Sequence, residues 1–427
     1  MAKYNFEGDL EKISDKQLEF INKVILEQDI KVKKVTFEPV GKAGDNFAAS
    51  VKRIIIDGED RSLRMVAKIA PQLEGPRGVV GTAYTFANEH VIYTEFLPKI
   101  EQYQNEAGVP AEDRLRYAKC YGSSIEQPNE VILLEDLNTS DFIMLDKFKS
   151  LPDSCIRSVL KNFAILHSFS FALKHREPEK FEEFKHRFVD IWSINSHDER
   201  AIIYMEKLEN DLLLLFEEEF YKNKIRNTMT DMVAASIELH NLELSNKYSV
   251  IQQGDAWTNN FMFRFKEDEL LESIIIDYQT AKNGNPVSDV LYTIFSSTDY
   301  EYRKKNFYDW IDYYHSELNK SLSYFNLKVD SVFPRKEFEV GMKKHGKFLF
   351  AQCCVCCNIL MRSSEESVGV MEAMHKSDDL SALMQSMSAD TLQEASRTKI
   401  RDKITGLIKS FTEYGQDGYR YEHIAKT

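Results

Sequence analysis

The sequence changes character near residue 138, and this change constrains the fold more than any other feature. Up to that point apolar residues alternate over short stretches such as 32–40, which is typical of strands with one buried face. Beyond it they recur at helical spacing, as at Ile156, Leu160, Phe163, Leu166 and Phe169. The pattern predicts an α+β protein with a β-rich N-terminal lobe over 1–137 and a mainly helical C-terminal lobe over 138–427. A cleft between two such lobes is a natural ligand site.

Local signals predict the elements of the N-terminal lobe. Ser14 followed by Gln17 forms a capping box, which predicts the start of a helix. Two prolines and three glycines predict a loop over 71–81, and a helix is predicted from about Tyr84 to Leu97. Besides the strand over 32–40, strands are predicted over 48–57, 63–70, 115–121 and 130–137.

The charge of the chain argues against polyanionic partners. The net charge is −13 and the isoelectric point is about 5.4, so phosphate backbones and anionic lipid headgroups are repelled. The apolar runs are too short to span a membrane, and residues 1–8 lack the apolar region of a signal peptide. We therefore expect a cytoplasmic monomer with no nucleic-acid partner and no membrane association.

Four of the six cysteines crowd into residues 353–357. They lie in a helical pattern, so their sulfurs would fan around the helix and at most two or three would share one face. Zinc sites usually gather paired ligands from separate segments. Core packing is therefore the favoured interpretation, because cysteine packs well as a small apolar side chain.

The strongest chemical signal begins at Gln253-Gly254-Asp255. Asn260 follows Asp255 by five residues, and a predicted hairpin over 261–278 carries Asp277 at its far end. Phosphoryl transfer to a hydroxyl explains this spacing, because one carboxylate must accept the proton while a carbonyl oxygen and a second carboxylate hold magnesium. Asp255 is then the base, and Asn260 and Asp277 are the metal ligands. A solvated turn is the alternative for the Asp–Asn pair taken alone.

Candidate phosphate-binding residues precede this segment in the N-terminal lobe. Gly41 and Gly44 lie between predicted strands, where a flexible turn can cover phosphates, although a plain hairpin is the default. Lys68 lies mid-strand among apolar residues and either snorkels at an edge or points into a polar site. Glu89 lies on the next helix, where it is either an exposed charge or the partner of Lys68. A strand lysine paired with a helix glutamate is how kinases fix the α and β phosphates.

With these residues in order, the chain resembles the ecdysteroid kinase-like family, relatives of the choline kinases and aminoglycoside phosphotransferases. The matching stretches are 41–47, 66–68, 86–93, 133–137, 166–168, 253–263, 277–279 and 286–292. The resemblance implies a two-lobed, protein-kinase-like fold that binds ATP and Mg2+. It implies nucleotide contacts from Gly41, Gly44 and Asn46, and adenine contacts from the backbone of Glu135 to Leu137. It also implies that Asp289 braces the catalytic loop, while His167 is interpreted as a packed helix residue.

One departure from the family pattern is Gln253, because the family usually has histidine before Gly-Asp. A glutamine can donate and accept hydrogen bonds, but it cannot become positively charged. The prediction is a kinase for a hydroxyl group of a small molecule, either an ecdysteroid-like steroid or a xenobiotic alcohol. The alternative is a nucleotide-binding or ligand-binding protein without turnover. A protein kinase is disfavoured because the His-Arg-Asp, Asp-Phe-Gly and Ala-Pro-Glu motifs are missing.

Overall fold

A computed structural model describes residues 4–41, 49–195, 199–376, 385, 388 and 391–414. The N-terminal lobe is built on a six-stranded sheet with the order β1-β2-β3-β4-β6-β5. All its neighbouring pairs are antiparallel except β1 with β2. The strands are β1 (Phe6–Gly8), β2 (Val32–Pro39), β3 (Ser50–Gly58), β4 (Ser62–Ile69), β5 (Cys120–Ser124) and β6 (Val131–Glu135). The predicted strand over 115–121 begins later than expected, at Cys120.

One face of this sheet is covered by the first helix, α1 (Asp15–Leu26). The predicted capping box is present, since the Ser14 hydroxyl accepts from the Gln17 backbone and the Gln17 side chain accepts from the Ser14 backbone. Apolar residues of α1, such as Ile21 and Ile25, are fully buried against the strands. The face of β4 that points away from α1 is not covered by this helix.

The segment predicted as a loop over 71–81 contains a helix, α2 (Glu74–Val80), so that prediction is wrong. A tertiary contact stabilises this helix despite its proline and glycines. Arg77 donates to both carboxylate oxygens of the fully buried Glu130 at 2.9 and 2.5 Å. Gly81 ends the helix with φ +61°, a conformation that glycine adopts without strain.

The helix predicted from Tyr84 to Leu97 is part of a longer helical run. It consists of α3 (Thr82–Val91), a π-helical turn (Ile92–Phe96) and α4 (Leu97–Glu106). The π turn inserts one extra residue per turn and so changes which residues face inward. Because of this turn, the face of α3 that carries Glu89 and the face of α4 that packs on the C-terminal lobe point in different directions.

The C-terminal lobe is mainly helical, as predicted. Its helices are α5 (Asp153–Arg176), α6 (Pro178–Arg187), α7 (Ile191–Asn195), α8 (Glu199–Leu213), α9 (Glu219–Ile225), α10 (Thr228–Ser245), α11 (Pro286–Ser297), α12 (Tyr300–Ser323), α13 (Val329–Val332), α14 (Arg335–Leu360), α15 (Ser364–Lys376) and α16 (Glu394–Glu413). The fold therefore belongs to the predicted two-lobed, protein-kinase-like α+β class.

Short strands position the loops of this lobe. The predicted hairpin is present as β9 (Phe261–Lys266) and β10 (Glu269–Ile275), and β7 (Phe142–Ile143) pairs with β9. A second pair consists of β8 (Val250–Gln252) and β11 (Lys282–Gly284).

The cysteine cluster and the aromatic residues of the C-terminal lobe lie mainly in its core. Cys353, Cys354 and Cys357 are buried as predicted, and Cys356 is partly buried on the same helix. On α12, Trp310 and Tyr314 are fully buried in the core, whereas Tyr308 is exposed. No described helix combines the length and the apolarity needed to cross a membrane.

Candidate active site

Lys68 points from the sheet into the space between the lobes. Its neighbours on β4, Ala67 and Ile69, face the core under α1 and are fully buried. Because side chains alternate along a strand, Lys68 points to the opposite face, where 12% of its side chain is exposed. The lysine is therefore held by the sheet and is not a snorkelling edge residue.

Two carboxylates meet the Lys68 ammonium group. Lys68 Nζ lies 2.6 Å from Glu89 Oε2 and 2.7 Å from Asp277 Oδ1. Burial by itself lowers the pKa of Lys68, but the charges of Asp277 and Glu89 outweigh it and raise that pKa above its ordinary value. The Tyr278 backbone N–H donates to Glu89 Oε1 at 3.3 Å. Helix α3 is thus tied both to the sheet and to the segment after β10.

The hairpin brings Asn260 and Asp277 together. Phe261 and Ile275 are paired across β9 and β10, and the Ile276 N–H donates to the Asn260 carbonyl at 2.9 Å. Asp277 follows with φ +59°, a left-handed conformation that aspartate tolerates better than most residues. The chain therefore turns sharply at Asp277, whose carboxylate contacts Lys68.

Asp255 lies beside this pair, as predicted. Asn260 Nδ2 donates to the Asp255 carbonyl at 2.8 Å and to its carboxylate at 3.0 Å. Burial, and secondarily the charge of Asp277, raise the pKa of Asp255 to about 7, although contacts with Asn260 and Trp257 act in the other direction. A carboxylate whose pKa is near neutrality is suited to accept a proton.

Asp289 braces the loop that carries Asp255. Its carboxylate accepts from the backbone N–H groups of Gln253 and Gly254 at 3.0 and 2.9 Å. His167, which is fully buried, contacts the same carboxylate at 3.1 Å and the Tyr314 hydroxyl at 2.8 Å. This packed histidine therefore supports the brace.

Gly254 is required by the backbone of the same loop. Its φ is +86°, and a Cβ added there would lie 2.3 Å from the Thr280 carbonyl oxygen. The close approach lets the loop carrying Asp255 lie directly against the segment that follows Asp277.

Gln253 joins the two halves of the site, a role that the sequence did not reveal. Its Oε1 accepts from the Asp255 N–H at 2.8 Å, and its Nε2 donates to the Asp277 carbonyl at 2.7 Å. One side-chain amide thus fixes the loop that carries Asp255 relative to Asp277, whose carboxylate contacts Lys68. The only sequence signal was the departure from the family's histidine at this position.

Oxygen ligands suited to magnesium are available at Asp277 and Asn260. The Asn260 amide nitrogen is used by Asp255, which leaves its amide oxygen for a metal. Among the described residues, no group of three or more His, Cys, Asp or Glu side chains could hold a metal ion. Magnesium fits such a site, because it is usually held by one or two protein groups together with waters and substrate phosphates. A cation here would also relieve the repulsion between Asp255 and Asp277.

The remaining predicted nucleotide contacts are only partly described. Gly41 has φ +79° at the end of β2, whereas Gly44 and Asn46 lie outside the described residues. Glu135 ends β6, and its N–H donates to the Lys119 carbonyl at 2.8 Å. Leu137 follows in a short 3-10 turn. Contacts from these residues to a nucleotide remain predictions.

Comparison with known proteins identifies a family. The model of the ecdysteroid kinase-like family matches residues 43–327, which is more than half of the chain. No match was found among curated proteins.

Several solved structures are similar to this chain. The GDP complex of an aminoglycoside 2'-phosphotransferase aligns over 92% of this chain and 99% of its own, with 11% identity and a TM-score of 0.42. Plasmodium vivax ethanolamine kinase aligns over 91% of this chain and 86% of its own, with 9% identity and a TM-score of 0.39. A spectinomycin phosphotransferase bound to ADP and spectinomycin aligns over 84% and 94%, with 13% identity and a TM-score of 0.36.

Proposed function

The chain belongs to the ecdysteroid kinase-like family of small-molecule phosphotransferases, and on that premise we propose that it transfers the γ-phosphate of ATP to a hydroxyl group of a small molecule. One observation carries the proposal. Lys68 Nζ contacts both Glu89 and Asp277, at 2.6 and 2.7 Å, beside the half-buried carboxyl group of Asp255. A lysine held by a helix glutamate, next to two further carboxyl groups, is the arrangement that phosphoryl transfer requires.

Each residue of the site has a role in this reaction. Lys68, oriented by Glu89, binds the α and β phosphates of the nucleotide. Asp255 orients the acceptor hydroxyl and takes its proton. The acceptor oxygen then bonds to the γ-phosphorus while the bond from that phosphorus to the β–γ bridging oxygen breaks, and ADP leaves. Gln253 and Asp289 keep Asp255 in place during this exchange.

Asp277 and Asn260 would hold magnesium together with the nucleotide. When bound, the ion neutralises phosphate charge and so favours attack by the acceptor oxygen. In this scheme Asp277 would give up its present contact with Lys68 when it holds the metal, and Lys68 would then bind the phosphates. The adenine is proposed to contact the backbone of Glu135 to Leu137, and the turn that begins at Gly41 to cover the phosphates.

The proposed acceptor is a hydroxylated small molecule, such as an ecdysteroid-like steroid or a xenobiotic alcohol. The family's name supports the steroid class. The acceptor would approach Asp255 from the C-terminal lobe, whose helices α10, α11 and α14 lie behind the catalytic loop.

Transfer of label from radioactive ATP to a panel of ecdysteroids and plant alcohols tests the proposal. We expect at least one labelled product with the native protein, and a loss of about 100-fold or more with Asp255→Asn, which removes the base. A thermal-shift titration with Mg-ATP should stabilise both proteins. Nucleotide binding with no transfer to any acceptor would instead support a ligand-binding protein, and no nucleotide binding at all would contradict both functions.

A further inference from the structure

Asn88 lies on α3 directly before Glu89, the residue that contacts Lys68. It is fully buried, with no exposed surface. A polar side chain in such a place needs hydrogen-bond partners, because an unpaired amide is costly inside a protein. The partners of Asn88 lie in the C-terminal lobe, on two separate segments of the chain.

The first of these segments follows α6. Asn88 Oδ1 accepts from the Val189 N–H at 2.9 Å, and Asn88 Nδ2 donates to the Val189 carbonyl at 2.9 Å. One side-chain amide thus binds both backbone groups of Val189, as a neighbouring strand would. Asparagine and glutamine are the side chains that present a carbonyl oxygen and an NH2 group on one planar amide. The contact therefore depends on the chemistry of Asn88 and not only on its volume.

The second segment follows Asp277. Asn88 Nδ2 also donates to the Gln279 carbonyl, at 3.2 Å. The neighbouring Tyr278 N–H donates to Glu89 Oε1 at 3.3 Å. Two consecutive residues of α3 therefore bind two consecutive residues after Asp277. This pairing keeps the two carboxylates that contact the lysine side by side.

The apolar contacts of α3 are divided between the two lobes. Phe86 packs on the sheet of the N-terminal lobe, whereas Val91 and the π turn after it belong to the core of the C-terminal lobe. Glu89 lies between these two contacts. A movement of one lobe against the other would shift Glu89 relative to Lys68 unless a nearby contact sets the position of α3. Asn88 makes such a contact.

We propose that Asn88 is a positioning residue, whose amide holds α3 against the C-terminal lobe so that Glu89 and Asp277 meet Lys68 before any nucleotide binds. Asn88 would act through Glu89 and not through a contact of its own with the reacting groups. The inference rests on the proposed function only where it concerns the phosphates that Lys68 binds. The placement of Lys68 itself is a property of the protein without ligands.

The reactivity of Lys68 towards an acetylating reagent tests this placement without nucleotide. The native protein and Asn88→Ala are treated with the N-hydroxysuccinimide ester of acetic acid at one pH, and mass spectrometry of the peptides gives a rate for each lysine. Only the unprotonated amine reacts, and the charge of Glu89 raises the pKa of Lys68. Releasing α3 should lower that pKa and raise the acetylation rate of Lys68 about tenfold, the effect of losing one nearby opposite charge.

Asn246→Ala is the matched control. Asn246 also accepts from a backbone N–H, that of Tyr248 at 3.0 Å, and donates through Nδ2 to Glu243 at 3.0 Å, but it lies at the end of α10. In this variant Lys68 should react at the native rate. A native rate in folded Asn88→Ala overturns the inference, because apolar packing would then place α3 without the amide.

Hydrogen exchange of the native protein covers the case in which Asn88→Ala does not fold. The Val189 N–H should be protected as strongly as the central amides of α3, because one opening exposes both. Exchange of Val189 within seconds, while α3 stays protected, overturns the inference.

Nucleotide binding separates this inference from the proposed function. In Asn88→Ala the affinity for Mg-ATP should fall about tenfold, because a charged contact to phosphate is weakened. The affinity for adenosine, which has no phosphate, should change less than about twofold. An equal loss for both ligands overturns a role that acts through Lys68. If the native protein binds no nucleotide but Lys68 becomes reactive in Asn88→Ala, the positioning role holds and the proposed kinase function fails.

Discussion

Gln253 links the loop that carries Asp255 to the segment that carries Asp277 through one side-chain amide. Its amide accepts from the Asp255 N–H and donates to the Asp277 carbonyl. An amide keeps both contacts at any pH, because it does not titrate. The position therefore couples the base to the carboxylate at Lys68 by hydrogen bonding alone.

Removing this coupling should impair the reaction more than nucleotide binding. We expect Gln253→Ala to lower kcat about 10- to 100-fold, because small displacements of a catalytic group are costly to rate. The dissociation constant for Mg-ATP should change less than about threefold, since Lys68 and Glu89 are untouched. Steady-state kinetics and a nucleotide titration measure the two quantities.

Gln253→His is the matched control, because it introduces the residue that the family usually has. It should recover more of kcat than Gln253→Ala does. If Gln253→Ala keeps the native kcat, the side chain does not position the base.

The residues proposed to react were predictable as a group because the proposed chemistry requires them. A base, two oxygen ligands and a paired lysine must occur in a fixed order along a kinase-like chain, and Lys68, Glu89, Asp255, Asn260 and Asp277 do meet in space. The contacts of Gln253 were not predictable. They depend on the backbone groups of Asp255 and Asp277, which meet only in the folded protein, and a glutamine before Gly-Asp carries no local signal of them.

At the scale of elements, helix α11 is the support of the site. Its first turn carries Asp289, and Ser296 near its end donates to the Ala256 carbonyl at 3.2 Å. The carbonyls at a helix C-terminus lack partners within the helix. Here two cations supply them, because Arg303 Nη1 donates to Phe295 and Thr298, and Lys403 Nζ donates to Thr298 at 2.8 Å.

Arg303→Met should therefore destabilise the protein by about 3 kcal/mol, because it removes the buried hydrogen bonds to the Phe295 carbonyl and to Ser410 and leaves only Lys403 to donate to the Thr298 carbonyl. Urea unfolding measures the change. Lys304→Met removes an exposed cation from the same helix and should change stability by less than about 0.5 kcal/mol. Equal effects of the two substitutions would contradict this role of Arg303.

Long elements were predictable from periodicity, whereas short ones were not. The helix over Asp153–Arg176 has five apolar residues at helical spacing, and these repeat over many turns. Strands β8 and β11 have three residues each and β7 has two, which is too few for an alternating pattern. Helix α2 was missed because its stability depends on Arg77 and Glu130, which meet only in the folded protein.

At the scale of the whole molecule, Asp113 joins three parts of the chain. It ends the 3-10 turn after α4, and its carboxylate accepts from Lys161 on α5 at 2.9 Å and from Lys320 on α12 at 2.6 Å. Tyr324 donates to the second oxygen at 2.7 Å. Burial raises the pKa of Asp113, but these donors outweigh it and lower that pKa below its usual value.

A lowered folded-state pKa makes stability depend on pH. In the folded protein Asp113 holds its proton more weakly than in the unfolded chain, so its contribution to stability is complete above about pH 5 and is lost progressively as the pH falls further. Asp113→Asn should unfold at lower urea than the native protein at pH 6. The gap between them should narrow as the pH is lowered from about 5 towards 3, because only the native protein loses this contribution.

Asp60→Asn provides the control, since Asp60 is an exposed acid in the turn between β3 and β4. The stability of the Asp60→Asn variant should equal that of the native protein at every pH. A constant gap between Asp113→Asn and the native protein down to pH 3 would mean that the substitution acts through lost packing. A gap that narrows would instead show that the ionised carboxylate itself joins the turn after α4 to helices α5 and α12, and that acid unfolding separates these parts of the chain.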